Sequence, residues 1–182
     1  KGETAAREMN ALLGVTNVSG TSNREAARGS DIVLLALPFD GMLPILEDIR
    51  EAARGKIIIN IASAIDSKKK SHAQVPPEGS ITALVQTFFG EATPVVAAFQ
   101  NISPEKLEGD AMIDADVLVC GNDKEARATV ITLIGKIGID AFDAGVLANA
   151  VAVETLTAVL IAVNIKYKTK GAGIRLTGVP RK

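Results

Sequence analysis

The sequence predicts an α/β fold, a doubly wound parallel sheet followed by a C-terminal helical tail. Four continuous apolar runs are typical of strands buried on both faces, because helices cover both sides of a parallel sheet. Stretches with helical spacing separate these runs, and alternating strands and helices imply parallel strands joined by right-handed crossovers. The four runs span residues 31–38, 56–63, 94–101 and 115–121.

Helices are predicted between the runs and after the last one. The stretch 40–53 carries apolar residues at near-helical spacing, among them Met42 and Ile49, and it stops before Gly55. A later stretch begins at Asn122 with Asn-x-x-Glu, a pattern close to a capping box. The predicted helices are 23–28, 40–53, 80–89, 122–137 and 146–168.

Composition excludes several classes of function. The 182 residues carry a formal net charge of −1, which leaves no basic field to hold nucleic acid or anionic lipid. Aromatic residues make up 3% of the chain, so a stacking surface for single-stranded nucleic acid is not expected. Cys120 is the single cysteine, which excludes an internal disulfide and fits a reducing compartment. We expect a cytoplasmic protein that binds neither nucleic acid nor membranes.

The predicted ligand site is the crevice beyond the carboxyl ends of the strands, where doubly wound sheets bind their ligands. The residues there are small, apolar or neutral, and no catalytic side chain or metal ligand is predicted among them. A hydrolase needs a nucleophile or a titratable pair, whereas hydride transfer between two bound cofactors mainly needs aligned rings. The alternative is that these positions are plain strand ends. The candidate cofactor-binding residues are Leu37, Pro38, Phe39, Ala62, Gln100 and Asn101.

Two strand segments and an ordered set of tail motifs carry a resemblance to a known family. The segments are residues 30–38 and 95–103, and the tail motifs are 143–149, 153–157, 164–168 and 173–175. On these residues the chain resembles, over essentially its whole length, the NADP oxidoreductases that use coenzyme F420. The ordered tail is the most specific part, since a strand and helix pattern alone is common.

The resemblance implies a Rossmann-like fold and reversible hydride transfer between NADPH and the deazaflavin ring of coenzyme F420. Residues near Pro38, Ala62 and Gln100 would then line the place where the two rings meet. It also divides the chain into a dinucleotide-binding domain, 1–143, and a C-terminal helical segment, 144–182, for substrate binding or dimerisation. Two alternatives stay open: reduction of another acceptor, such as ferric ion, a flavin or an imine, and a dimerising fragment without a complete cofactor site.

The start of the chain departs from the family pattern. The family opens with a strand, a glycine-rich turn, a helix and a second strand, but no G-x-G-x-x-G occurs in these 182 residues. Lys1 leads directly into what looks like the following helix. We expect that the first β-α-β unit is absent from this sequence and that these residues alone bind NADPH poorly, because pyrophosphate sits on that turn.

Four other residues have structural and functional interpretations. Cys120 ends an apolar run far from the single histidine, which favours an inert buried thiol over a nucleophile. Asp140 and Asp143 suggest paired carboxylates, but turn and cap roles are favoured because Gly145 follows. Arg175 is either an anchor for the tail or a cofactor contact.

A polar loop carries the densest positive charge in the chain. Lys68, Lys69 and Lys70 are followed by His72, and a solvated surface loop is the favoured interpretation. The alternative is that these lysines contact the anionic tail of coenzyme F420 or a phosphate.

The tail helix, 146–168, is apolar nearly all round, so it must be buried on most of its sides. One sheet edge cannot cover such a helix, and we predict a homodimer in which it packs against its own copy. A membrane span is disfavoured because Glu154 interrupts the stretch. Glu154 would need a donor across the interface or a nearby cation. Replacing Ala158 and Ala162 together by Glu should give monomers or insoluble protein.

Overall fold

The computed structural model describes residues 2–63, 65–66, 68–107 and 113–181. It has seven α-helices among these residues: α1 (Gly2–Leu13), α2 (Asn23–Gly29), α3 (Met42–Ile49), α4 (Ile81–Phe89), α5 (Pro104–Leu107), α6 (Lys124–Gly135) and α7 (Ala150–Tyr167). The strands are β1 (Ile32–Leu35), β2 (Ile57–Asn60), β3 (Val95–Ala97), β4 (Val117–Val119) and β5 (Ala141–Asp143). A short 3-10 turn, Leu147–Asn149, precedes α7.

The first three apolar runs form one parallel sheet with the order β1-β2-β3. Ile32 lies opposite Ile57, and Ile58 lies opposite Val95. Consecutive residues of β2 point to opposite faces, and both faces are covered: Ile58 packs with helices α2, α3 and α4, whereas Ile59 packs with α6. The predicted α/β fold with helices on both sides of a parallel sheet is therefore confirmed.

The prediction that all four runs share one parallel sheet is wrong for the fourth. Strand β4 pairs in parallel with β5 in a second sheet, and it meets β3 through an antiparallel bridge between Ala97 and Cys120. The two strands approach closely there, because a Cβ added at Gly121 would lie 2.7 Å from the carbonyl oxygen of Val95. The run 94–101 also stops being a strand early, since Phe99 has a φ of 73°. Core residues on α6 still pack against both sheets.

Strand β5 itself was not predicted. Asp140 and Asp143 were interpreted as turn and cap residues, but Asp140 precedes this three-residue strand and Asp143 is its last residue. Asp143 does act as a turn acceptor, since its Oδ1 accepts a hydrogen bond from the Gly145 N–H at 2.8 Å. The same oxygen accepts from Arg127 Nε at 2.7 Å, and these bonds hold the pKa of Asp143 below its ordinary value. A strand of three residues is too short to show the apolar periodicity from which strands are predicted.

The helices largely match the predicted stretches, with one change at a cap. The N-cap of α6 is Asp123, whose carboxylate accepts from the Ala126 N–H at 2.7 Å. Asn122 was the predicted start of that capping box, but its Oδ1 instead accepts from the Leu147 N–H at 3.1 Å. Asn122 therefore joins the start of the tail to α6.

The predicted tail helix is present. After the 3-10 turn, α7 runs from Ala150 to Tyr167 and ends at Lys168, which adopts a left-handed conformation with φ 53°. Ala150 and Val153 share a core cluster with Ala97 and Cys120, so α7 packs onto the junction of β3 and β4. The division into domains after residue 143 stays a prediction.

Candidate active site

The carboxyl ends of β1, β2 and β3 surround a cavity of about 570 Å³. Leu37, Pro38 and Phe39 follow β1, Ala62 follows β2, and Gln100 follows β3. The structure thus brings five of the six candidate residues to one crevice, as parallel strands require of their carboxyl ends. The cavity wall is mostly apolar, with Asp40 and Lys70 at it.

Asn101, the sixth candidate, is turned away from this cavity. Its side chain is buried, and its Nδ2 donates to the backbone carbonyl of Asp116 at 2.5 Å. Its Oδ1 accepts weakly from the Leu118 N–H at 3.5 Å. Asn101 lines a neighbouring cavity of about 520 Å³ and ties the loop after β3 to β4. Asn101 is therefore set apart from the crevice that the other five candidates share, and a cofactor-binding role for it stays a prediction.

Gln100 is the polar side chain most firmly placed at the crevice. It is 5% exposed, and its Nε2 donates to the backbone carbonyl of Asn60 at 2.8 Å. The other side-chain atom, Oε1, is buried and has no hydrogen-bond partner among the described residues. Buried polar atoms are nearly always paired, so this acceptor marks a place where a donor is expected.

A buried polar network lies beneath the crevice, and sequence reasoning missed most of it. Asn60 Nδ2 donates to Thr82 Oγ1 at 2.9 Å, and the Thr82 hydroxyl donates to Glu154 Oε1 at 2.6 Å. The N–H groups of Ile81 and Thr82 also donate to Glu154, each at 2.8 Å. The sequence signal for this network was Asn60, the polar residue that ends the run Ile57–Asn60, because a buried amide needs hydrogen-bond partners.

The partner of Glu154 differs from the prediction. The expected donor across a dimer interface, or a cation, is replaced by the N-terminus of α4 in the same chain, where the helix dipole also favours an anion. Burial raises the pKa of Glu154 above its ordinary value, and the hydrogen bonds from Thr82 and Ile81 oppose that rise. This carboxyl fastens α7 to α4.

Helix α7 reaches the crevice through Thr157. The Thr157 hydroxyl donates to the backbone carbonyl of Gln100 at 2.8 Å, and its oxygen lies 2.8 Å from Ser63 Oγ. These bonds connect the ends of β2 and β3 to the tail. Thr157 belongs to the tail motif 153–157, so that motif contributes directly to the cavity wall.

Cys120 is fully buried at the end of the fourth run. Burial, followed by the nearby Glu154 carboxylate, raises the pKa of its thiol to about 12. The group is a neutral thiol at neutral pH, which agrees with the prediction of an inert buried cysteine.

The lysine loop is exposed, as predicted. The N–H groups of Lys68 and Lys69 both donate to Asp66 Oδ1, at 2.7 and 3.2 Å, which closes a turn. Lys70 borders both cavities at this end of the sheet. His72 is exposed in the same loop.

In the structure, Arg175 anchors the tail. Its guanidinium lies 3.0 Å from Asp116 Oδ1, and Arg181 lies 2.9 Å from the same atom. Asp116 also accepts from the Leu176 N–H at 2.6 Å. Hydrogen bonding from Arg181 is the main reason that the pKa of Asp116 lies below its ordinary value. The sequence signal for this cluster was Asp116 itself, because an aspartate inside an apolar run needs partners for its charge.

No group of three or more His, Cys, Asp or Glu among the described residues is placed to hold a metal ion. One helix in that part of the chain, Leu147–Tyr167, is long and apolar enough to cross a membrane by length and composition. About 22% of that stretch is buried within the chain.

Comparison with known proteins places the chain in a family. A family model described as NADP oxidoreductase, coenzyme F420-dependent, matches residues 1–64. The F420-dependent NADP reductase of Methanocaldococcus jannaschii is 40% identical in an alignment of 189 positions that covers 98% of this chain and 84% of that protein. The chain belongs to the F420-dependent NADP reductase family. The resemblance inferred from the sequence is therefore confirmed.

A second member of the family and a solved structure are also similar to this chain. The F420-dependent NADP reductase of Methanothermobacter thermautotrophicus is 34% identical over 99% of this chain and 81% of its own length. A proposed F420-dependent NADP reductase from Arthrobacter sp. has a TM-score of 0.75 at 24% identity, covering 86% of this chain and 74% of that one. That likeness supports the fold, a Rossmann-like α/β arrangement with a crevice at the strand ends.

Proposed function

We propose that this protein transfers a hydride between NADPH and the deazaflavin ring of coenzyme F420. The observation that carries the proposal is membership of the F420-dependent NADP reductase family over nearly the whole chain. The cavity at the ends of β1, β2 and β3 supplies a place for two rings to meet. In this reaction NADPH gives up a hydride, the deazaflavin takes up that hydride and a solvent proton, and NADP+ is released.

The residues of the crevice act by binding and alignment. Leu37, Pro38, Phe39 and Ala62 offer apolar contact surface for flat rings and exclude water from between them. Direct hydride transfer needs no nucleophile or metal from the protein, because the reacting atoms belong to the cofactors. Lys70, exposed at the rim, is suited to contact the anionic part of a cofactor.

The test is turnover by the full-length protein with NADPH and coenzyme F420 in the presence of a chelator. Loss of the visible absorbance of the oxidised deazaflavin is expected only when both cofactors are present. Ferric ion, free flavin and a cyclic imine are the comparison acceptors. Reduction of one of these with no reduction of F420 would contradict the proposal and favour a reductase of that other acceptor.

We also propose that the protein is a homodimer through α7. The face of α7 that carries Ala150, Val153 and Ala158 is buried within the chain, while Val159 and Val163 are 55% and 36% exposed on the opposite face. A helix that is apolar on two faces but covered on only one of them needs a second packing partner. A second copy supplies an identical apolar face, so two α7 helices can pack about a two-fold axis.

A membrane is a poorer occupant of this face. The contacts of Glu154 with Ile81 and Thr82 hold one side of α7 against α4, whereas a spanning helix would expose that carboxyl to lipid. We accordingly propose a cytoplasmic enzyme that binds small-molecule cofactors and neither membranes nor nucleic acid.

Val159→Glu with Val163→Glu is the sharper test of the dimer. Ala158, which the sequence favoured for this test, is 2% exposed and packs inside the chain, so charge there would unfold the protein. The Val159 and Val163 pair should give folded monomers in sedimentation, because both side chains lie on the free face. Leu133→Glu, at an exposed site on α6, is the control and should stay dimeric. A monomeric wild-type protein at micromolar concentration would contradict the dimer.

A further inference from the structure

The orientation of the Gln100 side-chain amide is fixed by its own hydrogen bond. Nε2 donates to the backbone carbonyl of Asn60 at 2.8 Å, and that carbonyl also accepts from the Ala98 N–H at 3.2 Å. A flipped amide would set Oε1 against the Asn60 carbonyl oxygen, acceptor against acceptor. The amide therefore presents only an acceptor at its other atom.

That acceptor is buried and belongs to a residue that lines the cavity. Gln100 is 5% exposed and lines the crevice. Its Oε1 has no hydrogen-bond donor among the described residues. Leaving a buried acceptor unpaired is unfavourable, so a donor on the occupant of the cavity has a large advantage over an apolar or acceptor group at the same place.

The backbone around Gln100 holds this arrangement rigidly. Phe99, immediately before it, has a φ of 73°, a left-handed conformation that aromatic residues rarely adopt and that concentrates at functional sites. The Ile102 N–H donates to the Phe99 carbonyl at 3.0 Å, and the Thr157 hydroxyl donates to the Gln100 carbonyl at 2.8 Å. These contacts fix the backbone on both sides of Gln100, and the bond from Nε2 to the Asn60 carbonyl holds the side chain.

We propose that Gln100 is a specificity-determining residue whose Oε1 accepts a hydrogen bond from an N–H group on a cofactor ring. The inference rests on the proposed function and deepens it. Both cofactors offer such a donor: the carboxamide of the nicotinamide and the imide of the deazaflavin. An acceptor locked in one orientation selects a ring that turns its N–H towards β3, and so helps to set which face of the ring meets the other cofactor.

Gln100→Met in the full-length protein tests this role, since methionine keeps a similar length and removes the acceptor. The matched control is Gln86→Met, at the opposite end of β3. Gln86 is a satisfied amide, with Nε2 bonded to the Gly90 and Thr93 carbonyls and Oε1 bonded to the Val95 N–H. NADPH is compared with its reduced 3-acetylpyridine analogue, in which a methyl replaces the carboxamide NH2.

A carboxamide donor predicts that wild type prefers NADPH to the analogue in kcat/KM and that Gln100→Met loses about tenfold of this preference. The intrinsic reactivity of the analogue cancels, because the preference is compared between variants. A deazaflavin donor predicts instead a KM for F420 raised about tenfold, with the analogue preference unchanged. Either pattern, absent from Gln86→Met, supports the proposal. Any other result, including equal losses for NADPH, analogue and F420, would overturn it.

Two measurements keep the inference separate from the proposed function. If wild type does not pass hydride between NADPH and F420, the proposed function fails, and calorimetric binding of NADPH, its analogue and F420 to the same variants still tests Gln100. If Gln100→Met does not fold, Gln100→Asn takes its place. That variant withdraws the acceptor by one methylene, and the same two patterns are expected.

Discussion

The crevice end of the first sheet and the tail end of the second sheet are built with different chemistry. Around Gln100, Asn60 and Thr157 the polar bonds are between neutral groups, with one buried carboxyl, Glu154, behind them. Around Asp116 the tail is held by a charged cluster with Arg175 and Arg181. The neutral bonds themselves do not titrate and respond little to salt, whereas a charged cluster makes the attachment of the tail sensitive to both pH and salt.

Glu154→Leu should have the largest effect on stability. The substitution leaves the N–H groups of Ile81 and Thr82 buried without an acceptor, so we expect a loss of ~3 kcal/mol in the free energy of unfolding. Denaturant unfolding measures it. Glu8→Gln on α1, which is exposed, is the control and should change stability little. A loss for Glu154→Leu as small as that of the control would mean that the buried network does not fasten α7.

Asp116→Asn should have a smaller effect, at the other end of the molecule. The amide can accept a hydrogen bond from Arg175 or Arg181, but it loses the charge that both guanidiniums share. We expect ~1.5 kcal/mol less stability in the same unfolding assay, with the crevice unaffected. Asp31→Asn, at an exposed aspartate, is the control. A change in the KM for either cofactor would show that the two ends of the molecule are coupled.

The two carboxyls should also give stability profiles of opposite slope with pH. The pKa of Asp116 is lowered from 3.8, so its stabilising contribution is complete above pH 3.8 and is lost as the pH falls through its lower folded value. The pKa of Glu154 is raised from 4.5, so its favourable contribution is complete below pH 4.5 and is lost as the pH rises through its higher folded value.

Unfolding of wild type, Asp116→Asn and Glu154→Gln across acidic pH measures these slopes. The advantage of wild type over Asp116→Asn should shrink on acidification. The stability of wild type relative to Glu154→Gln should rise on acidification. Parallel profiles for the two variants would show that the charges at the two ends behave alike, against the structural comparison.

Cys120→Ala should have the smallest effect on catalysis. Its thiol is buried and has a pKa of about 12, so it provides no thiolate near the crevice at neutral pH. We expect kcat to stay within about twofold of wild type, since the thiol takes no part in hydride transfer. Steady-state turnover with thermal unfolding as a folding check measures it. A fall in kcat by orders of magnitude in a folded variant would assign the cysteine a chemical role.

The sequence by itself determined the parts of this protein that depend on local pattern. Continuous apolar runs specify strands, although Leu34 of β1 is 52% exposed and that strand is not buried on both faces as predicted. The parallel alternation brings Pro38, Ala62 and Gln100 to one end of the sheet. The apolar tail from 146 to 168 specified a helix, and the charge inside it marked Glu154 as a residue in need of partners. Period and polarity are readable along the chain, because they belong to neighbouring residues.

Only the tertiary structure decided which distant groups meet. Glu154 receives its hydrogen bonds from residues 72 and 73 positions away, and no local pattern encodes that pairing. The same holds for Asn101, which turns to β4, and for β4 itself, which leaves the first sheet at an antiparallel bridge. Gln100 shows the division most clearly. Its place at a strand end follows from the sequence, but its unpaired acceptor exists because the fold sets the Asn60 carbonyl against the other end of its amide.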